Sequence, residues 1–180
     1  MAKILIGYGT TEGQTAKISQ HMADSAHRLG HKVSVRHVSE IRDHEVHAHD
    51  AVIVGGSLHE GRYQREVRSF IEQHGAVLGA RENAFFSVSL AAASRNPDER
   101  AEPLRIAREF TGQAGWTPRR IASFAGALKY TQYSWLKRML MKHIAQKEDG
   151  ATDTSQDFEY TDWGEVDRFV EEISRSLPGA

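Results

Sequence analysis

The 180-residue chain contains no cysteine. Disulfides, thiolate zinc sites, cysteine-ligated iron–sulfur clusters and a cysteine nucleophile are therefore excluded. Chemistry must come from another side chain, an N- or O-ligated metal, or an organic cofactor. Long apolar runs are missing too. The longest nearly apolar stretch, Ala84 to Ala93, has ten residues and includes two serines, against the roughly 20 a membrane-spanning helix requires. Met1-Ala2-Lys3 runs straight into Ile4-Leu5-Ile6, so neither a signal peptide nor export is expected. Proline is scarce, at four residues, while 39% hydrophobic and 26% charged residues exclude collagenous and wholly disordered classes. The composition fits one globular domain spanning 1–180.

Nor is there an excess of one charge sign, since the formal net charge is −1. That sum hides a strong asymmetry. Residues 1–110 carry 14 basic and 14 acidic side chains, residues 111–147 seven basic and no acidic ones, and residues 148–180 two basic and ten acidic ones. The three segments thus carry 0, +7 and −8, a pattern that marks a surface with a charged partner.

Short apolar runs alternate with longer segments of helical period, the signature of a parallel sheet covered by helices on both faces. The runs Lys3 to Tyr8, Ala51 to Val54, Ala84 to Val88 and Ile121 to Phe124 do not alternate, as befits strands buried on both sides. Lys32-Val33-Ser34-Val35-Arg36 does alternate, which places it at a sheet edge. Ile18, Met22, Ala26 and Leu29 recur at helical spacing and end at Gly30, a C-terminal cap. Val67, Phe70, Ile71 and His74 mark a second helix, closed by Gly75. Leu104, Ala107 and Phe110 mark a third, from about Asp98 to Ala114. Asp162 and Glu165 give a capping-box-like start to the last helix, striped by Val166, Phe169, Val170, Ile173 and Leu177. These elements predict an α/β three-layer sandwich on a five-stranded parallel sheet. The alternation breaks once, at an insert over 129–160 between the fifth strand and the last helix, where a few residues normally suffice.

The first strand ends in Gly7-Tyr8-Gly9-Thr10-Thr11-Glu12-Gly13-Gln14-Thr15 and runs directly into a helix. Glycines, hydroxyls and a helix N-terminus offer free N–H groups and the positive end of a dipole to an anion. Glu12 stands where G-x-G-x-x-G needs its last glycine, and no G-x4-G-K-S/T is present. Rossmann-type dinucleotide and nucleoside triphosphate binding are thereby disfavoured. Thr10 to Thr15 instead resemble the flavodoxin phosphate loop, S/T-x-T/E-G-x-T, whose lack of cations suits a phosphate held by hydroxyls and N–H groups. A plain helix cap would use the same threonines, so the loop alone leaves both readings open. Gly55 to Tyr63 follow the third strand and Ser87-Val88-Ser89-Leu90 the fourth. Both loops are small and polar enough for backbone to approach a planar ring. Leu58, His59 and Tyr63 either cover that ring or are ordinary surface residues.

Further segments extend the likeness over nearly the whole chain: Phe86 to Leu90, Ala125-Gly126-Ala127-Leu128-Lys129-Tyr130, the basic aromatic insert, Thr152-Asp153-Thr154 and Tyr160-Thr161-Asp162-Trp163. With the phosphate loop, they resemble the menaquinone-dependent protoporphyrinogen IX dehydrogenases, a membrane-associated branch of the flavodoxin superfamily. The resemblance implies a flavodoxin-like fold with strand order 2-1-3-4-5 and FMN as cofactor. It implies oxidation of protoporphyrinogen IX to protoporphyrin IX in heme biosynthesis, with menaquinone or another membrane quinone as acceptor. It also implies that Thr10, Thr11, Glu12, Gly13, Gln14 and Thr15 hold the FMN phosphate. Ser57, Leu58, Ser87, Val88, Ser89 and Leu90 would line the isoalloxazine, and Gly126 would let the chain pass close to it. The flavin carries the chemistry, so no side-chain acid or base is assigned. The alternatives are a soluble flavodoxin-type electron carrier, an FMN-dependent quinone reductase and a non-catalytic adaptor. Carriers are typically acidic beside the flavin, whereas this chain sets its +7 segment there.

Within the insert, Trp135, Leu136, Met139, Leu140 and Ile144 fall on one side of a helix predicted over Tyr133 to Ala145, with Lys137, Arg138, Lys142 and His143 largely elsewhere. Cations and aromatics flanking an apolar stripe are the composition of a helix lying in a membrane interface. Each cation near an anionic surface contributes about 1 kcal/mol, so Lys129, Lys137, Arg138 and Lys142 make reversible attachment feasible. The expected location is peripheral, on the cytoplasmic face of the inner membrane; homo-oligomerisation stays open. The same pattern fits an extra core helix with a solvated basic face, or cations that pair with substrate propionates. Nucleic-acid binding is disfavoured because the acidic tail would repel phosphate. Gln146 to Ala151 is more acidic than the resemblance implies. Asp43 to Asp50 holds three histidines without compact ligand spacing, so a solvated connection rather than a metal site is expected there.

Overall fold

The computed structural model describes residues 1–128 and 158–178. In chain order the elements are β1 (Lys3–Gly9), α1 (Gln14–Arg28), β2 (Lys32–His37), α2 (Asp43–His47), β3 (Ala51–Ser57), α3 (Arg65–Gly79) and β4 (Glu82–Ser89). There follow α4 (Pro97–Gln113), β5 (Arg120–Ala125), β6 (Ala127–Leu128), β7 (Phe158–Glu159) and α5 (Trp163–Ser174). Strands β1 to β5 form one parallel sheet in the expected order 2-1-3-4-5. The alternating segment is the β2 edge, and every residue of β3 is buried.

Successive side chains of a strand point to opposite faces, and each buried strand therefore feeds two cores. Ile4, Ile6, Ile53, Phe86 and Phe124 pack under α1 and α5, where Ile18, Met22, Val166, Phe169 and Ile173 meet them. Leu5, Val52, Val54 and Phe85 pack on the other face with Val67, Phe70, Ile71, Phe110 and Trp116. Each fully buried Ile, Leu or Phe contributes about 1.5–3 kcal/mol by transfer from water. The chain enters and leaves α1 through left-handed glycines. Gly13 precedes the helix at φ 85°. At the far end Gly30, at φ 84°, donates to His27 O while His31 donates to Ala26 O, a Schellman closure.

One sequence expectation needs correction, and two segments carry structure that the sequence did not announce. Gly75 does not close α3, which continues to Gly79; a side chain at position 75 would lie 3.3 Å from the Gly115 carbonyl oxygen, so close packing accounts for the glycine. The connection over 43–50 contains the short helix α2, with Val46 buried and the Arg42 N–H donating to Glu45. Its His49 bonds Ser34 and the Glu45 carbonyl. The return of the insert, β7, pairs antiparallel with β6 (Ala127 with Glu159, Leu128 with Phe158). The helix predicted over 133–145, with Lys129, Trp135, Lys137, Arg138 and Lys142, lies outside the described residues.

His31, 4% exposed, joins both ends of this fold. Its Nδ1 accepts from the Ala2 N–H at 3.3 Å, which sets the tautomer, and its Nε2 donates to Ser174 Oγ at 2.7 Å. Burial, helped by the nearby N-terminal charge, holds its pKa below the ordinary histidine value. A depressed folded-state pKa means the contribution is complete above the unfolded value, about pH 6.5, and is lost as pH falls through the folded one. The urea midpoint is expected to drop between about pH 7.5 and pH 5. His31→Gln should be less stable at pH 7.5 by about 1–2 kcal/mol, with a shallower slope. A slope equal to wild type would exclude His31 as its source; His74 and His59, shifted the same way by burial, contribute to the remainder.

Candidate cofactor site

The loops after β1, β3, β4 and β5 leave the same edge of the sheet and enclose a cavity of about 350 Å³. Thr10, Glu12, Gln14, Thr15, Ser57, Leu58, Val88, Ser89, Leu90 and Gly126, all singled out from sequence, line it. Thr11, Gly13 and Ser87 do not. Thr11 ties the first loop to the end of β3, its hydroxyl 3.4 Å from Ser57 Oγ and accepting from Gln64 Nε2 at 2.9 Å. Gly13 shapes the turn, its N–H donating to Thr10 Oγ1 at 2.9 Å. Ser87 is fully buried beneath the cavity wall and accepts from Tyr63 Oη at 2.8 Å.

Tyr63 is neither a ring cover nor an ordinary surface residue. It packs between Phe85 and Phe110, with ring centroids 5.4 and 4.4 Å away, and burial pushes its phenol well above the usual range. His59 does reach the cavity. It sits on a tight turn in which His59 and Arg62 exchange backbone hydrogen bonds and Glu60 and Gly61 adopt φ 47° and 75°. Its Nε2 is 3.8 Å from Glu12 Oε1, and burial lowers its pKa. The opposite wall is α4, through Glu102, Pro103 and Ile106, which the sequence reading missed. One signal was present: Ile106 is apolar yet falls off the stripe of Leu104, Ala107 and Phe110.

The chemistry of the first loop suits a phosphate. Among the described residues, the fully buried Thr15 hydroxyl has no hydrogen-bond partner, and no side chain caps α1. Among the described residues, the cavity lining includes Glu12, Glu60 and Glu102 but no lysine or arginine. Lys17, on the first turn of α1, is instead paired with Glu159. What the described residues offer an anion there is neutral hydroxyl and N–H donors at the positive end of the helix. Gly126 has a negative φ, and a side chain on it would meet protein at only ordinary contact distance, 3.5 Å from Val88. Packing therefore does not require a glycine there, and its absent side chain leaves room on the cavity wall.

A family model described as a flavodoxin domain matches residues 5–155. The protoporphyrinogen IX dehydrogenase (quinone) of Escherichia coli K12 is 35% identical over 173 residues, covering 96% of this chain and 94% of the relative. The chain belongs to the protoporphyrinogen IX dehydrogenase (quinone) family of flavodoxin domains. A family member from Leishmania major, of the same name, is 33% identical over 98% of this chain and 76% of its own length. A flavodoxin from Streptococcus pneumoniae superposes with a TM-score of 0.62 at 15% identity, covering 98% of this chain and all of that one; this likeness speaks to the fold alone.

Thr15 separates binding from stability. Thr15→Val keeps the shape and removes a buried, unpartnered hydroxyl, so the apoprotein should unfold at the same or a slightly higher temperature. FMN affinity, read by quenching of flavin fluorescence, should fall about tenfold. Unchanged affinity would show that the hydroxyl does not bind the phosphate.

Proposed function

We propose that the protein is an FMN-dependent oxidoreductase that converts protoporphyrinogen IX to protoporphyrin IX in heme biosynthesis and passes the electrons to a quinone, menaquinone being the acceptor that fits the family. The near full-length likeness to relatives named for this activity carries the reading. When bound, FMN supplies the hydride- and electron-accepting chemistry.

The chain's own residues supply binding, orientation and exclusion of water. Thr10, Thr15 and the N–H groups opening α1 would hold the phosphate, with Thr11, Glu12, Gly13 and Gln14 shaping that loop. Leu58, Val88, Leu90, Pro103 and Ile106 form apolar walls that keep water from a planar ring, with Ser57, Ser89 and Gly126 at its edges. Ser87 would act from beneath, by fixing the wall that Tyr63 supports. The acidic lining repels the substrate's propionates and turns them outward. A neighbouring groove of about 370 Å³ shares Gly61 and Ile106 with the cavity and offers Arg62 and Arg68 as carboxylate partners.

The quinone is lipid-soluble, and peripheral contact with the cytoplasmic face of the inner membrane through Lys129, Trp135, Lys137, Arg138 and Lys142 would bring it within reach. Support comes from the five cations and no acid over residues 129–147 and from the root of that segment, which adjoins Gly126 and Ala127 of the cavity wall. Among the described residues, no helix is long and apolar enough to cross a membrane.

An anaerobic assay with FMN-loaded protein and a menaquinone analogue should raise porphyrin fluorescence above the spontaneous rate; no rise would overturn the enzymatic reading. Deletion of Ser134 to Gln146 should abolish binding to anionic liposomes and quinone-linked turnover while FMN stays bound. Liposome binding retained by the deletion would remove the membrane contact from the proposal.

A further inference from the structure

The four loops around the cavity are joined into a closed ring of hydrogen bonds. From the first loop, Thr11 Oγ1 meets Ser57 Oγ at 3.4 Å. The next residue, Leu58, donates its N–H to Val88 O at 2.8 Å, and Gly126 N–H donates to Ser89 O at 3.0 Å. These bonds link the ends of β3, β4 and β5. The return to the first loop runs through side chains. Thr161 Oγ1 donates to Ala125 O at 2.7 Å and accepts from Gln14 Nε2 at 3.0 Å. Gln14 opens α1 directly after the threonine loop. Tyr160 N–H donates to Gly126 O at 3.1 Å, fixing the backbone beside Thr161. Glu159 adds a second tie to α1 through Gln14 and Lys17, but among the described residues only the Thr161 hydroxyl joins α1 to the end of β5.

We propose that Thr161 is a positioning residue: with Gln14 it closes the hydrogen-bonded ring around the cavity, and so couples FMN binding to the docking of the chain that returns from the insert. The inference rests on the FMN reading and extends it to residues that do not touch the ligand. Gln14 and Gly126 both line the cavity, so a ligand filling it favours the arrangement in which the two walls keep their spacing. Thr161 holds that spacing from outside. Coupling of this kind is reciprocal: what FMN does to the docking of Tyr160 and Thr161, their docking does to FMN.

The test compares FMN affinity and amide hydrogen exchange at Tyr160 for wild type, Thr161→Val and Thr161→Ser. Thr161→Val keeps the shape and opens the ring, and should weaken FMN binding about tenfold; Thr161→Ser keeps the hydroxyl and should restore it to within about twofold. FMN should slow Tyr160 exchange in wild type and Thr161→Ser but not in Thr161→Val. Gln14→Met should give a similar loss that does not add to that of Thr161→Val, which keeps the idea testable if one variant folds poorly. Unchanged affinity in Thr161→Val overturns the proposal. So does a loss of affinity with FMN-induced protection of Tyr160 intact, which a purely structural role would produce. Wild-type protein that binds no FMN would overturn the cofactor reading itself, and this inference with it.

Discussion

Parallel pairing of the strands is the constraint from which the rest follows. When every strand of a sheet runs the same way, every strand-to-helix connection leaves at one edge, and every return connection is forced to the other. The loops after β1, β3, β4 and β5 therefore converge without any contact being needed to gather them. The order 2-1-3-4-5 reverses direction between β1 and β3, so the helices that follow these strands diverge and leave a crevice. The two cores, one on each face, hold the edge still. At the strand ends themselves the residues are short, Gly9, Thr10, Ser57, Ser89 and Gly126, and larger side chains such as Leu58, His59 and Leu90 follow them into the cavity wall.

The cavity's electrostatics are unusual for a site read as holding a phosphate and a dicarboxylate. Among the described residues its lining carries acids and no bases, so what they offer an anion is oriented neutral donors and the dipole of α1. Lys17 lies one turn into the helix that faces the phosphate loop, yet it is paired with Glu159 and stacked 5.3 Å from the Trp163 ring. Burial raises the Glu159 carboxyl, but Lys17, Gln14 and Trp163 together hold its pKa below the ordinary value. Glu159 is therefore charged near neutral pH, and its bonds to Lys17, Gln14 and Trp163 fasten β7 and α5 to α1.

The sheet was legible because burial on both faces leaves an unmistakable trace, runs such as Ala51 to Val54 with no polar alternation. The phosphate loop was legible because its chemistry is local. What failed was whatever depends on a distant neighbour. Gly75 reads as a helix cap, since nothing nearby in sequence announces the Gly115 carbonyl against it. Tyr63 reads as a loop residue until Phe85 and Phe110, far along the chain, close around it. Ser87 sits in a polar loop motif but at a strand position whose side chain turns inward. The α4 wall was missed because that helix meets the cavity with the flank beside its core stripe, and Ile106 alone betrays this. Strands of two residues, as in β6 and β7, are too short to show any period.

The two-residue ribbon of β6 and β7 has an implication for how such a chain is assembled. Ala127 faces Glu159 and Leu128 faces Phe158, so the polypeptide departs from the sheet and rejoins it at neighbouring points. Positions 128 and 158 are therefore partners across the ribbon although 29 residues separate them along the chain. The two ends of the segment are pinned together by backbone hydrogen bonds, as the ends of a tight hairpin would be, so the entropy of closing so long a loop is met at its base. Whatever the segment touches, it starts and ends at the rim of the crevice.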